Sequence, residues 1–357
     1  MRRRFIQING ELVEVSNNYQ PKPRTSSSAV MTAPSSAEAT EGAAQPPKSI
    51  YKYVGSSYLA KVLGRKSHVT LKCSYPKNFN DPYELFLTID FKAEPGVLAF
   101  YKEVVGELPQ LPTTCFSRSP TIIPMWAHYA QDSKGFAIEF DEAALSASFP
   151  ESGFGDVDYR DSTSEGLEDM LYRAYEIGKY RYLYLLNRWV FSAAYYTKAS
   201  FWSYELERRM IVRPSETRSK AGVMLMDVPK ECVTALICGP RASSRTRRAL
   251  QGKANQLGCK YYELRIGKSS AVPYFVDSSG SHFFTGASIE PAGQYCESCD
   301  EPFDSPGEVE CSWCRIDEDH EHEAAQRNSF RGLARAGLLD EYVKDMNEVG
   351  AEKRRKK

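Results

Sequence analysis

Three features of the sequence predict an α+β fold, a mixed sheet with flanking helices. Helical and extended stretches alternate between residues 50 and 267 without the regular strand–helix–strand rhythm of a parallel sheet. Hydrophobic residues make up 42% and aromatic residues 12% of the 357, enough for a sizeable core and for two or three structural units. Near the C-terminus Cys296, Cys299, Cys311 and Cys314 form two CxxC pairs separated by eleven residues. At that spacing two tight turns offer four thiolates to one tetrahedral Zn2+, so a small C-terminal zinc ribbon or knuckle over 294–317 is added to the α+β body. A closed four-sulfur site leaves no open coordination position, and the metal it predicts is structural.

The elements follow in order. Phe5–Ile8 and Glu11–Val15, joined by Asn9-Gly10, read as a β-hairpin over 1–16, because that dipeptide tolerates the positive φ angles of a two-residue turn. Residues 17–49 are Pro, Ser, Thr and Ala with few large apolar side chains, a composition that does not offset the entropy of ordering, and they read as a disordered linker. The central α+β domain is expected over 50–267. It opens with a short strand ending at Tyr53 and a helix from Ser56 to Leu63. In Asn78–Glu84, Asp81 suits a helix cap, Pro82 the first helical position and Glu84 the third. Strands are expected over Leu111–Ser119 and Gly135–Asp141, the latter with Phe136, Ile138 and Phe140 on one face, and a short helix over Ile122–Ala130 lies between them. A long helical region, Glu165–Tyr196, precedes a strand Trp202–Val212. Strand, helix and strand then follow over Val223–Gly239, Arg241–Leu257 and Tyr261–Ile266. Residues 268–293 read as a linker, 320–349 as an amphipathic helix with Phe330, Leu333, Leu338, Leu339, Tyr342, Val343 and Met346, and 350–357 as a basic tail.

Charge and composition bound the function. Lys plus Arg and Asp plus Glu each total 46, so no overall field selects nucleic acid or an anionic surface, and any such preference is local. Five cysteines outside the paired motif lie singly in apolar runs, which argues against a disulfide framework. Neither a signal-peptide core nor a run of about 20 apolar residues is present, so the expected location is the cytoplasm, away from any membrane. Gly267-Lys268-Ser269 ends like a phosphate-binding loop, but Tyr262 stands where that loop needs its first Gly. With only five histidines, chemistry falls to carboxylates, hydroxyls and aromatics.

Read as one strand, Trp202–Val212 places Glu205, Glu207 and Arg209 on one face and Trp202, Tyr204, Leu206, Met210 and Val212 on the other. That face is either a paired-carboxylate site or a solvated or salt-bridged outer face. Ser117 shares a strand face with Ser119, and His128 lies on the adjoining helix as an acid, a base or a packing residue. Tyr51 and Tyr53, at i and i+2, either stack a planar ligand or pack.

The ordered set Tyr51-Lys52-Tyr53, Phe79–Glu84, Cys115-Phe116-Ser117, Met125–Ala130, Gly135–Asp141 and Lys198 with Trp202–Arg209 resembles the bacterial and phage family called domain of unknown function 2971, over roughly 50–267. The tail resembles a generic zinc ribbon. A second likeness is to ADP-ribosyltransferases, in which an aromatic or His on one strand, a Ser-bearing strand and a strand ending in Glu-x-Glu occur in that order. This resemblance implies an NAD-consuming or nucleotide-processing enzyme, a defence or phage effector. It implies Glu207 on the nicotinamide ribose, Glu205 facing the acceptor, Ser117 at the nicotinamide pocket, Tyr51 or Tyr53 on the adenine-side ribose, and catalytic or cofactor-binding roles extending to His128 and Arg209. Ser117-Arg118-Ser119 departs from the usual Ser-Thr-Ser, and no early Arg or His stands at the first position. The competing expectation is a non-enzymatic module that binds protein or nucleic acid through the ribbon and the C-terminal helix.

Overall fold

A computed structural model describes residues 4–8, 11–15, 49–83, 85, 88–268 and 270–355. Of the expected linker over 17–49, residues 17–48 lie outside them, as do the Asn9-Gly10 turn, Glu84 and the last two residues of the basic tail, while Ser49 opens a strand. The strands are β1 (Arg4–Ile8), β2 (Glu11–Val15), β3 (Ser49–Val54), β4 (His68–Cys73), β5 (Thr113–Ser117) and β6 (Phe136–Asp141). They continue as β7 (Gly153–Asp156), β8 (Asp158–Tyr159), β9 (Thr197–Lys198), β10 (Glu207–Ile211), β11 (Arg218–Lys220) and β12 (Val223–Pro229). The last five are β13 (Val233–Cys238), β14 (Lys260–Arg265), β15 (Tyr274–Asp277), β16 (Gly280–Phe284) and β17 (Ile289–Pro291). Helices α1 (Leu59–Val62), α2 (Pro95–Val105), α3 (Ile123–Tyr129), α4 (Glu142–Ser148) and α5 (Glu165–Ile177) are followed by α6 (Tyr180–Tyr196), α7 (Ser244–Leu257), α8 (Glu318–Arg327), α9 (Ser329–Arg335) and α10 (Leu339–Arg355). Among the described residues no helix is long and apolar enough to cross a membrane.

The chain divides into two compact units, Met1–Ser278 with His282–Glu290, and Ser279–Ser281 with Pro291–Lys357. The fold is α+β. A ten-stranded mixed sheet runs in the order β17-β16-β15-β14-β13-β6-β3-β5-β10-β7, and β11-β12-β4 form a smaller antiparallel sheet. β13 and β14 pair in parallel through the crossover helix α7, while β3, β5, β6 and β10 pair antiparallel. Alternation along each strand sorts the side chains onto two faces. Ile50, Val54, Phe116, Phe136, Ile138, Phe140 and Met210 pack on one face against Leu250, Ala254 and Leu257 of α7 and Val69, Leu71 and Met226 of the smaller sheet. Tyr51, Tyr53, Ala137 and Ile237 pack on the other against Met125 and Trp126 of α3. A third cluster joins α2, α5 and α6 through Val97, Leu171, Ala174, Leu186 and Val190.

Several expectations are corrected. Asn78–Glu84 does not start a helix: Pro76–Asn78 is a 3-10 turn, and the Asp81 carboxylate accepts from the Tyr83 amide at 2.9 Å, closing a local turn instead of capping. The long helical region breaks at Gly178, which takes the left-handed conformation that ends α5. Residues 268–293 are not a plain linker, since they carry β15, β16 and β17. Residues 320–349 form three helices, α8 to α10, with a turn at Gly337 (φ +70°). Trp202–Val212 is not one strand: Ser200–Glu205 is a 3-10 helix, Leu206 stands at φ +45°, and only Glu207–Ile211 is extended.

Candidate active site

The break at Leu206 determines which groups meet. A continuous strand would place Glu205 and Glu207 on one face by alternation. Here the 3-10 turn delivers Glu205 from the side, while β10 delivers Glu207. Both are nearly sealed, at 3% and 5% exposure, so the solvated-face reading of this charge run does not hold. Pairing register sets the partners: Glu207 lies opposite Ser117, and Ser117 opposite Tyr51, so Tyr51, Ser117 and Glu207 form one transverse row across β3, β5 and β10. Directly paired residues point to the same side. The row borders a cavity of about 480 Å³, whose wall also includes His128, Tyr129 and Glu205.

Lys198, which sequence reading left out of the site, is central to it. The two-residue strand β9, paired in parallel with β8, holds it in place. Its Nζ donates to Glu205 Oε2 at 2.7 Å and to Glu207 Oε2 at 3.4 Å, and lies 4.6 Å from the centre of the Trp202 ring. Arg209 is fully buried; its Nε donates to Glu207 Oε1 at 2.9 Å, and its terminal nitrogens donate to Glu207 Oε2 at 3.1 Å and to the Tyr195 carbonyl at 2.8 Å. Arg209 therefore acts on the cavity through Glu207. Two carboxylates and two cations balance formally, which is what permits four charged groups to share one buried site. Tyr129, also missed, donates its hydroxyl to Glu205 Oε1 at 2.6 Å and accepts from Asn80 Nδ2 at 3.0 Å.

The two carboxylates are driven apart in acidity. At Glu205 burial outweighs Lys198 and Tyr129, so its pKa rises above the ordinary carboxylate value. At Glu207 burial acts in the same direction, but Arg209 and Lys198 overcome it and hold the pKa down to about 2. Adjacent carboxyls with divergent acidities are a recurrent basis for separate proton-transfer and charge-stabilising roles.

The remaining predicted residues are placed as follows. Ser117 Oγ donates to the Glu205 carbonyl at 2.7 Å, which anchors the turn carrying that residue. His128 is exposed at the cavity wall, with Nδ1 3.1 Å from the Tyr204 hydroxyl. Tyr51 and Tyr53 are packed: Tyr51 donates to Glu139 at 3.0 Å and meets Phe284 edge-on, while Tyr53 donates to the Ser119 carbonyl at 2.8 Å and meets Trp126 edge-on. Burial raises both phenol pKa values.

In the second unit the Sγ atoms of Cys296, Cys299, Cys311 and Cys314 lie within 4.8 Å of one another, and Cys299 and Cys311 are 3.8 Å apart. Zinc–sulfur bonds of about 2.3 Å in a tetrahedron set sulfurs about 3.8 Å apart, so the donor set fits such a metal. His320 does not join it; with Asp317 it forms the capping box of α8, its amide donating to the Asp317 carboxylate at 2.9 Å. Val309 and Trp313, beside and within the second cysteine pair, are both exposed.

No curated protein matches the chain. Residues 125–210, running from α3 into β10 and including His128, Tyr129, Lys198, Glu205 and Glu207, match the family described as a protein of unknown function, DUF2971.

Proposed function

We propose that the cavity is the active site of an NAD-consuming, nucleotide-processing enzyme of ADP-ribosyltransferase type. The observation that carries this reading is the row Tyr51–Ser117–Glu207 on adjacent strands, with Glu205 beside it at the wall of one cavity. In the reaction the bond between nicotinamide nitrogen and ribose C1′ breaks, and its electron pair leaves with nicotinamide. Positive charge then develops on the ribose. Glu207, ionised at every physiological pH, stabilises that charge from a pre-organised position that water cannot reproduce. An acceptor hydroxyl or water attacks C1′ and releases its proton to Glu205, whose raised pKa suits a base. Ser117 fixes the backbone beneath Glu205, and Tyr51 and Tyr53 form the floor.

The test incubates the full chain with nicotinamide-labelled NAD, alone and with protein or nucleic-acid acceptors. Release of nicotinamide that disappears in folded Glu207→Gln and falls at least tenfold in Glu205→Gln is expected; no release under any condition refutes the reading. For the second unit we propose a structural Zn2+ held by the four cysteines.

A second reading, a non-enzymatic module recruiting a partner through the C-terminal unit, is favoured by the exposure of Phe330, Tyr342, Val343 and Met346. Partner capture that survives deletion of 294–357 would count against it.

A further inference from the structure

One face of α7 carries charge that no contact inside the protein uses. Between Glu231 and Glu263 the chain holds six basic residues, Arg241, Arg245, Arg247, Arg248, Lys253 and Lys260, and no acid, in a protein whose formal charges cancel. Two of the six are turned to internal partners: Arg247 donates to the Pro240 carbonyl at 3.2 Å and lies 3.8 Å from Glu263, and Lys253 donates to Gln256 at 2.9 Å. The side chains of Arg241, in the turn ahead of α7, and of Arg245 and Arg248 on the helix are exposed and make no hydrogen bond or ion pair among the described residues.

Leu250, Ala254 and Leu257 anchor the helix to the sheet and so fix which side faces outward. Arg245 and Arg248 are neighbours on the outer surface, and their stripe continues through Gly252 and Asn255 beside Gln251, all exposed. Gly252 is an independent sign. A glycine in a helix interior costs about 1 kcal/mol relative to alanine, yet a Cβ at this position would meet nothing within 4 Å. No internal contact requires it, whereas close approach of an external backbone would.

We propose that the outer face of α7 docks the phosphate backbone of double-helical DNA. Three guanidiniums without internal counter-ions are complementary to a regular array of phosphates, and the intervening Gln, Asn and Gly present donors and space but no negative charge. A helix fits the B-form major groove of about 12 Å, whereas the A-form groove of double-stranded RNA is too deep and narrow for such a fit. This surface lies on the opposite face of the sheet from the cavity, so the proposal is independent of the enzymatic reading.

The test measures anisotropy of a fluorescent mixed-sequence DNA duplex with the full chain at about 50 to 200 mM salt. Wild type should bind with a steep salt dependence. Arg241→Ala/Arg245→Ala/Arg248→Ala should flatten the log–log slope by about 2.7, corresponding to roughly 0.9 per lost phosphate contact. Gly252→Leu, whose Cβ meets no packed neighbour within 4 Å, should weaken binding by about tenfold with an unchanged circular dichroism spectrum and slope. An unaltered slope in the triple variant, or no duplex binding at the lowest salt, overturns the proposal. So does tighter binding to an RNA duplex or to phosphatidylserine vesicles than to DNA.

Discussion

At the level of single residues, the site is governed by how four charges share a water-poor space. Removing one partner of a buried ion pair leaves the other uncompensated, at a cost of about 3 to 5 kcal/mol. Arg209→Met should therefore destabilise the first unit by that order in urea unfolding, while Arg248→Ala at the surface should change it by less than about 0.5 kcal/mol. The pH behaviour of Glu207 has a definite sign. Its folded pKa, about 2, lies below the ordinary carboxylate value, so its contribution to stability is fully present above the unfolded pKa of about 4.3 and is lost as pH falls through about 2. Acid unfolding of Glu207→Gln should consequently be shallower than that of wild type across that window. Glu205 has the opposite shift, and under the proposed NAD cleavage kcat/KM should rise with pH through a value above the ordinary carboxylate pKa, a limb that Glu205→Gln removes.

At the level of elements, backbone shape does work that sequence patterning does not reveal. Gly135, just ahead of β6, is an instance: a Cβ there would lie 2.1 Å from the Val54 carbonyl and 2.8 Å from that of Ala130, both backbone atoms. Gly135→Ala should cost about 2 to 3 kcal/mol of unfolding free energy, within the usual range for overpacking. Conversely, Leu206→Gly should stabilise by about 1 kcal/mol, because leucine in the left-handed region is strained and this side chain is 47% exposed. β10 was read only as part of a longer strand, whereas β6, with Phe136, Ile138 and Phe140 on one face, was legible from the sequence. The 3-10 turn at Ser200–Glu205 was not, since Trp-Ser-Tyr-Glu alternates apolar and polar residues just as a strand does. β15 to β17 were hidden among glycines and serines, where short runs give little period to read. Lys198 and Tyr129 were passed over because what makes them site residues is contact with Glu205, seven and 76 positions away. Nothing local to either residue announces that contact.

Across the molecule, the two units rest on different sources of stability. The first has a large apolar core on both faces of its sheet. In the second, Cys296 is the one fully buried apolar side chain within Pro291–Lys357 among the described residues, and the proposed Zn2+ on the four cysteines would supply what a core does elsewhere. Zinc analysis of the full chain should find one ion, and treatment with a strong chelator should abolish a separate unfolding transition of residues 291–357 while the main transition persists. Cys311→Ser/Cys314→Ser should reproduce the chelated behaviour without added reagent.

The transverse row has a kinetic corollary. Its members, residues 51, 117 and 207, stand far apart along the chain and become neighbours only through strand pairing. No fragment ending before β10 contains them all, and no collapsed intermediate with an unzipped centre can align them. Competence to act and completion of the sheet should thus emerge in refolding as a single event, late and together.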